Sequence, residues 1–290
     1  MSAQRRFALA AMTAAALAVL AYLLFIRTSV GQTLENMALQ GARQELDVVK
    51  TESLTELHEI STLTFAVAIA VVMGVALLRR TWRLALTAAV VMGSSVAIAE
   101  VAKRVLTRPD LIDAPDRWLN NSFPSGHMTV AVAIGIGAII VVPYALRWLA
   151  AIVAAGYAAS IAQAVETVGW HRLSGVIGAT LLVIAVAGVG LYVLARLGRV
   201  TPFGTRRLVG TLIASVILGG LGVLLGAAGL YGIARLLPLA ASPSGSDLLL
   251  AYTATYLIGA SVVSLAFLSF LWLIRPYRID EPVESEAGDG

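Results

Sequence analysis

The chain has 290 residues, of which 59% are hydrophobic and 13% are charged, and it contains no cysteine. Soluble domains carry about 25% charged residues, so the composition argues against a soluble globular domain and against a disordered chain. Without cysteine, the chain can have neither a disulfide framework nor a cysteine–zinc site. The net charge of +4 comes from no long basic run, which argues against a nucleic-acid-binding protein.

Eight apolar stretches follow one another along the chain, and each is close to or above the length that crosses a bilayer as a helix. Helices are required at these positions, because lipid offers no hydrogen-bond partners to an open backbone. The pattern therefore predicts an all-α polytopic membrane protein. The stretches are residues 7–26, 61–78, 84–102, 128–146, 148–165, 173–195, 209–234 and 249–274.

The first apolar stretch follows Arg5 and Arg6, an arrangement that is also typical of a secretory signal peptide. Its apolar run is about 20 residues long, whereas signal cores have about 7–15, and it ends poorly for a small-residue cleavage site. We therefore expect this stretch to be a retained span, with a cleaved signal peptide as the alternative.

The lysines and arginines favour a cytoplasmic N-terminus, because basic residues concentrate on the cytoplasmic side of membrane proteins. This orientation places both termini in the cytoplasm, and the arrangement fits a bacterial plasma membrane. Residues 28–60 then form a long outer segment, in which helical spacing of apolar residues predicts a helical cap. The cap is either a solvated lid or a guide for substrate. Residues 277–290 form an acidic tail that we expect to be disordered beyond Arg278.

Three polar clusters lie at predicted outer helix ends, at residues 103–110, 121–127 and 169–172. Ionisable residues are costly in a membrane and are functional candidates for that reason. Each cluster alone also fits a structural role, as snorkelling cations, a helix cap or an aromatic belt. Together they place two of the three histidines of the chain, His127 and His171, beside several cations at one membrane depth.

The residues of these clusters suit the transfer of a phosphoryl group. Ser125 can cap the helix that follows it, and the amides and dipole of a first helical turn attract a phosphate. Cations can hold the phosphate oxygens while one histidine attacks phosphorus and the other protonates the leaving oxygen. This chemistry requires no metal and no other cofactor. The third histidine, His58, lacks such surroundings and is predicted to be a surface residue.

The Pro-Ser-Gly-His motif at residues 124–127, with Lys103 before it and His171 after it, resembles the type 2 phosphatidic acid phosphatase superfamily. These integral-membrane lipid phosphate phosphatases carry three signatures. The first is a lysine, six residues and Arg-Pro, and the second is Pro-Ser-Gly-His. The third is Ser-Arg, five residues, His, three residues and Asp. The resemblance covers about residues 60–195.

The resemblance implies a six-helix lipid-phosphatase-like core within residues 1–200, with the outer cap at about 28–60. Residues 201–276 lie beyond it and are predicted to form two additional C-terminal transmembrane helices. Their glycines permit close helix packing, which favours a structural role and leaves a homo-oligomer open.

The resemblance also implies a role for each residue that matches the family pattern. His171 is the expected nucleophile, and His127 is the expected general acid. The expected phosphate-binding residues are Lys103, Arg108, Ser125 and Gly126.

The third signature departs from the family pattern. Its Ser-Arg pair falls on Ala164 and Val165, and the aspartate that orients the nucleophile in the family falls on Gly175. Arg172 is a candidate to replace the arginine in phosphate binding. Ser174 is a candidate to orient the nucleophile through a hydrogen bond.

Two other carboxylates are alternatives for the orienting role, and the first signature is also shifted. Glu166 and Asp110 are the residues that could reach the nucleophile from elsewhere. Arg108-Pro109 lies two residues earlier than the strict spacing from Lys103 requires. Bacterial relatives often have Arg-Pro-Arg-Pro here, so Arg108 is interpreted as the first of two arginines.

The predicted function is hydrolysis of a phosphomonoester or pyrophosphate of a polyprenyl lipid or glycerolipid, at the outer membrane face, through a phosphohistidine. The expected partners are this lipid phosphate and the bilayer, with no nucleic acid. One alternative is a catalytically impaired relative that binds a lipid phosphate or a partner protein. Another is a phosphotransferase that uses the same residues and passes the phosphoryl group to an acceptor other than water.

Overall fold

The computed structural model of the protein describes residues 2–113, 121–202 and 208–279. Within these ranges, helices alternate with short connections, and two short strands pair with each other. The helices are α1 (Ala3–Ala21), α2 (Ser29–Ala42), α3 (Asp47–His58), α4 (Thr62–Leu78), α5 (Trp82–Val105), α6 (Gly126–Val141), α7 (Arg147–Thr167), α8 (Leu173–Arg196), α9 (Val209–Ala214), α10 (Gly220–Leu236) and α11 (Gly245–Ile274). The strands are β1 (Val200–Pro202) and β2 (Tyr277–Ile279).

The protein is an all-α, multi-pass membrane protein, as its composition predicts. Among the described residues, six helical segments are long and apolar enough to cross a bilayer. They are Ala3–Ile26, Trp82–Val105, Tyr144–Thr167, Leu173–Arg196, Val209–Leu239 and Gly245–Ile274.

Two of the eight predicted spans are shorter in the structure. Helix α4 has 17 residues and meets α3 at a bend of 58°. Helix α6 has 16 residues and ends at Val141, not at Leu146 as predicted. Pro143 explains this early end, because proline cannot donate a helical hydrogen bond and restricts the residue before it.

Helix α6 lies at the centre of the bundle. Eleven of its 16 residues are buried, and it packs against α4, α5, α7 and α8. Protein therefore surrounds most of this helix. Its N-terminus, which carries the Pro-Ser-Gly-His motif, opens at the same end of the bundle as the α7–α8 loop.

The predicted outer cap is helical, and its two helices differ in burial. Nine of the 14 residues of α2 are buried, and this helix packs against α11. Gly41 lies so close to the backbone of Leu248 that a side chain there would clash. Helix α3 has two buried residues and packs against α7, where Ser160 donates to Glu56 at 2.6 Å. The prediction of a solvated lid therefore fits α3, whereas α2 is packed into the bundle.

The C-terminal helices pack onto the rest of the bundle. Helix α11 packs against α10, α2, α7 and α8. Strand β2 pairs antiparallel with β1, with Thr201 opposite Arg278. The predicted acidic tail thus begins as an ordered strand, and residues 280–290 lie outside the described residues.

Candidate active site

The loop between α7 and α8 presents His171. The carbonyl of Val165 accepts hydrogen bonds from the amides of Trp170 and His171, each at 3.1 Å. Gly169 turns the chain with a φ of 72°, which glycine adopts without steric cost. Val165 therefore contributes a backbone acceptor at the place where the family pattern has an arginine.

One ring nitrogen of His171 is fixed by the loop that precedes α6. Nδ1 of His171 lies 2.9 Å from the carbonyl oxygen of Ser122. A carbonyl oxygen can only accept, so Nδ1 carries the proton of this hydrogen bond. In the neutral imidazole, Nε2 then keeps its lone pair.

The surroundings of His171 favour its neutral form. Burial lowers the pKa of His171 from 6.5 to about 4, although the hydrogen bond to Ser122 acts in the opposite direction. The positive charges of Lys103, His127 and Arg172 lower this pKa further. The His171 ring is therefore neutral at pH 7, with Nε2 available as a nucleophile.

Gly175 makes room for the Ser122 carbonyl. A Cβ atom at position 175 would lie 3.0 Å from the Ser122 oxygen and 3.6 Å from Nδ1 of His171. The carbonyl of Gly175 also accepts from the Ser125 amide at 3.1 Å, which ties the α6 loop to α8. In the family pattern, an aspartate at the position of Gly175 orients the histidine. Here the backbone carbonyl of Ser122 makes the hydrogen bond to His171 instead. Because the acceptor is a backbone atom, no residue type in the sequence could have predicted it.

The other candidates for orienting His171 have different neighbours. The Ser174 amide donates to Oε1 of Glu35 at 3.0 Å. Oε1 of Glu166 faces Gly259 of α11, where a Cβ would lie 3.2 Å away. The Asp110 carboxylate accepts from the Ile112 amide at 3.3 Å. The hydrogen bonds described for Ser174 run through its amide, so an orienting role for its hydroxyl stays a prediction.

The Pro-Ser-Gly-His motif forms the N-terminus of α6. Ser125 is the N-cap, and its hydroxyl accepts from the Met128 amide at 3.3 Å, so the predicted cap is confirmed. Nζ of Lys103 would lie 2.7 Å from a Cβ on Gly126, so glycine allows the ammonium to approach the backbone. The same ammonium pairs with Glu100 at 2.6 Å.

Two of the three histidines, His127 and His58, cluster around one tryptophan, Trp170. The ring centroid of Trp170 lies 5.4 Å from that of His127 and 6.2 Å from that of His58. His58 is exposed, as predicted, but it belongs to this cluster as well. Its place was missed because α3 and the α7–α8 loop are more than 100 residues apart in the sequence.

The two arginines predicted to bind phosphate lie in a buried cluster with two polar residues of α2, Glu35 and Asn36. Nη1 of Arg108 donates to Oε2 of Glu35 at 2.8 Å, and the two side chains are only 2% and 0% exposed. Nη2 of Arg172 lies 3.5 Å from Oδ1 of Asn36. Glu35, His171 and Arg172 line the same small cavity.

The charges of this cluster act on one another. Burial lowers the pKa of Arg172 to about 10, and the positive charge of Arg108 lowers it further. The negative charge of Glu35 acts in the opposite direction. Arg172 therefore remains a cation at neutral pH.

Sequence reasoning missed the residues of α2 that reach this cluster. Gln32, Glu35 and Asn36 follow i, i+3, i+4 spacing and therefore share one helix face. All three are buried. Three large polar residues on the same helix face are the signal that could have identified them. Among the described residues, no group of three or more His, Asp or Glu is placed to hold a metal ion.

Residues 82–199 match the family model of the PAP2 superfamily. Over these residues the chain is similar to the PAP2 superfamily. The match runs from the first residue of α5 to just beyond α8, and it contains Lys103, His127 and His171. No curated protein and no solved structure gives a significant match to the chain. The resemblance inferred from the motifs is confirmed over residues 82–199.

Proposed function

We propose that this PAP2 protein is a lipid phosphate phosphatase that works through a phosphohistidine on His171. The observation that carries the proposal is the hydrogen bond from Nδ1 of His171 to the carbonyl of Ser122. It fixes the proton on Nδ1 and leaves the Nε2 lone pair on a ring whose pKa is about 4. A neutral, oriented imidazole is the form of histidine that can attack phosphorus.

The reaction has two steps. In the first, Nε2 of His171 forms a bond to phosphorus, the bond from phosphorus to the lipid oxygen breaks, and His127 gives that oxygen a proton. In the second, His127 takes a proton from water, whose oxygen displaces Nε2 and releases orthophosphate. Lys103 and the amides after Ser125 stabilise the phosphate oxygens, since a helix N-terminus favours negative charge.

The substrate is proposed to be a phosphomonoester or pyrophosphate of a polyprenyl lipid or glycerolipid. The candidate site lies at the ends of apolar helices, where a lipid can place its phosphate while its tail stays in hydrocarbon. The lysine and arginine pattern supports the outer face of a bacterial plasma membrane for this site.

Two other functions use the same residues. The changes at Val165 and Gly175 favour a catalytically impaired relative that only binds a lipid phosphate. The Ser122 carbonyl favours an active enzyme, because an acceptor for Nδ1 is present without the aspartate. A phosphotransferase differs from a hydrolase only in the acceptor of the second step.

The first experiment measures phosphate release by the purified protein in detergent with EDTA. The substrates are a polyprenyl phosphate, a polyprenyl pyrophosphate and phosphatidic acid. The expected result is release by the parent, loss of release in His171→Ala and His127→Ala, and retention in His58→Ala as the matched histidine control. Labelled substrate should leave an acid-labile phosphoryl group on the parent and none on His171→Ala.

Each contrary result has a distinct meaning. No release from any of these lipids would contradict hydrolysis and favour the impaired relative. Unchanged release by His171→Ala would exclude His171 as the nucleophile. A fall in free phosphate, with transfer to an added alcohol, would identify a phosphotransferase.

A further inference from the structure

Helix α2 places a row of buried polar side chains against the motif residues, although it lies outside the residues that match the superfamily. Nε2 of Gln32 donates to the Pro109 carbonyl at 2.6 Å, and Oε1 of Gln32 accepts from the Leu111 amide at 3.3 Å. Asn36 faces Arg172, one turn further along the same face. Burying polar groups is unfavourable unless they are paired, and here Pro109 and Arg172, which belong to the first and third signatures, are among the partners.

Glu35 occupies the middle of this row and connects three elements. Its Oε2 accepts from Nη1 of Arg108, in the loop after α5. Its Oε1 accepts from the Ser174 amide, in the first turn of α8. A carboxylate is favoured there because the N-terminus of a helix carries partial positive charge.

The second terminal nitrogen of Arg108 has no such partner. Nη2 is buried and makes no hydrogen bond to any described residue. An unsatisfied buried donor is unfavourable and calls for a structural reason. Arg108, Arg172 and Glu35 together carry a net charge of +1. A phosphate oxygen would satisfy the open donor and reduce this charge.

We propose that Glu35 is a positioning residue of the phosphate site, which holds Arg108 so that its Nη2 is available to a phosphate oxygen of the substrate. The inference rests on the proposed function and deepens it. Glu35 acts through Arg108 and does not touch the substrate. Helix α2 thus holds Arg108 through Glu35 and Arg172 through Asn36. These two arginines compensate for the arginine that the family pattern places at Val165.

The test is a double-mutant cycle between Glu35 and Arg108. Glu35→Gln keeps the size of the side chain and removes its charge, whereas Glu35→Asp keeps the charge. Arg108→Gln removes the guanidinium, and Glu35→Gln/Arg108→Gln removes both charges, so that neither is left buried alone. Glu52→Gln changes an exposed carboxylate of α3 and is the matched control.

The readouts are KM and kcat for lipid phosphate, and the inhibition constant of inorganic phosphate. Loss of a charged hydrogen bond corresponds to about tenfold or more, so Glu35→Gln should raise KM and the inhibition constant about tenfold. Glu35→Asp should recover part of this change, and Glu52→Gln should leave both constants unchanged. In the Arg108→Gln background, Glu35→Gln should add no further change, because Glu35 acts through Arg108.

The outcomes separate this inference from the proposed function. An active parent whose constants do not change in Glu35→Gln would overturn the inference and leave the phosphatase intact. Additive effects in the double variant would also overturn it, because a purely structural role predicts additivity. If the parent hydrolyses nothing but binds inorganic phosphate, about tenfold weaker binding by Glu35→Gln would still support the inference. A parent that neither hydrolyses lipid phosphate nor binds inorganic phosphate would overturn both.

Discussion

At the scale of single residues, one backbone carbonyl takes over a contact that the family pattern gives to a side chain. The Ser122 oxygen fits beside His171 because Gly175 has no Cβ. The degenerate third signature therefore coexists with an oriented histidine. Gly175 and Ser122 act as a pair, so changing one changes the geometry of the other.

Substitutions at Gly175 test this pair. Gly175→Ala places a Cβ 3.0 Å from the Ser122 oxygen and supplies no new acceptor. We expect kcat to fall by up to about 100-fold, since displacement of a catalytic group by 1 Å has effects of that size. Gly175→Asp should be more active than Gly175→Ala, because its carboxylate can accept from Nδ1 itself. Equal rates for the parent and Gly175→Ala would contradict the role of the carbonyl.

The protonation of His171 provides a second prediction. Because burial holds its pKa near 4, the neutral His171 ring that the proposed mechanism requires is present at neutral pH and is lost only as pH falls through about 4. Nitrogen NMR of labelled histidine should show this midpoint, with His171→Ala identifying the signal. The decrease of kcat at low pH that depends on His171 should have its midpoint in the same pH range. A midpoint near 6.5, the ordinary histidine value, would contradict the lowered pKa of His171.

At the scale of elements, helix packing decides which helix ends meet. Helix α6 is short because Pro143 follows it, and it is enclosed by other helices. Helix α2 is apolar on the face towards α11 and polar towards the arginine cluster. The outer cap therefore divides into a wall of the site, α2, and a more exposed helix, α3.

The contact between α2 and α11 can be tested through its glycine. Gly41→Ala introduces a clash with the Leu248 backbone, and overpacking of this kind costs about 1–3 kcal/mol. We expect a lower unfolding temperature in detergent and weaker phosphate release, because α2 carries Glu35. Gly74→Ala is the control, since its Cβ would meet no atom within 4 Å. Equal unfolding temperatures for the two variants would argue against tight α2–α11 packing.

At the scale of the whole molecule, helices outside the matched residues 82–199 enclose the superfamily region. Helix α1 packs along α8, and α11 packs against α2, α7 and α8. The hydroxyls of Tyr252 on α11 and Thr167 at the end of α7 lie 2.7 Å apart in a buried hydrogen bond. The C-terminal helices thus contact the helix that leads into the His171 loop.

Removal of this hydroxyl tests the link between α11 and the core. Tyr252→Phe removes this hydrogen bond, while the Thr167 hydroxyl still donates to the Gln163 carbonyl. We expect a loss of about 1 kcal/mol in the free energy of unfolding. Tyr256→Phe, one turn further along α11, is the matched control, because no hydrogen bond of its hydroxyl is described. The measurement is the thermal unfolding of each purified variant. A stability loss for Tyr256→Phe equal to that for Tyr252→Phe would contradict the specific link.

The sequence alone determined the features that depend on local properties. Apolar runs of sufficient length specify helices, Ser125 specifies a helix cap, and helical spacing specifies the helices within residues 28–60. The motif at residues 124–127 and its order relative to Lys103 and His171 indicated the superfamily whose model residues 82–199 match. These signals are readable because each lies in the residue types and in their spacing along the chain.

The tertiary structure decided which groups meet. Arg108 and Glu35 are 73 residues apart, and their pairing depends on how α2 packs against α11 and α7. The Ser122 carbonyl has no signature in the sequence, because every residue carries the same carbonyl and only the fold positions one beside His171. Hydropathy and motifs specify helices and candidate residues, whereas long-range packing selects the partners that hold those residues in place.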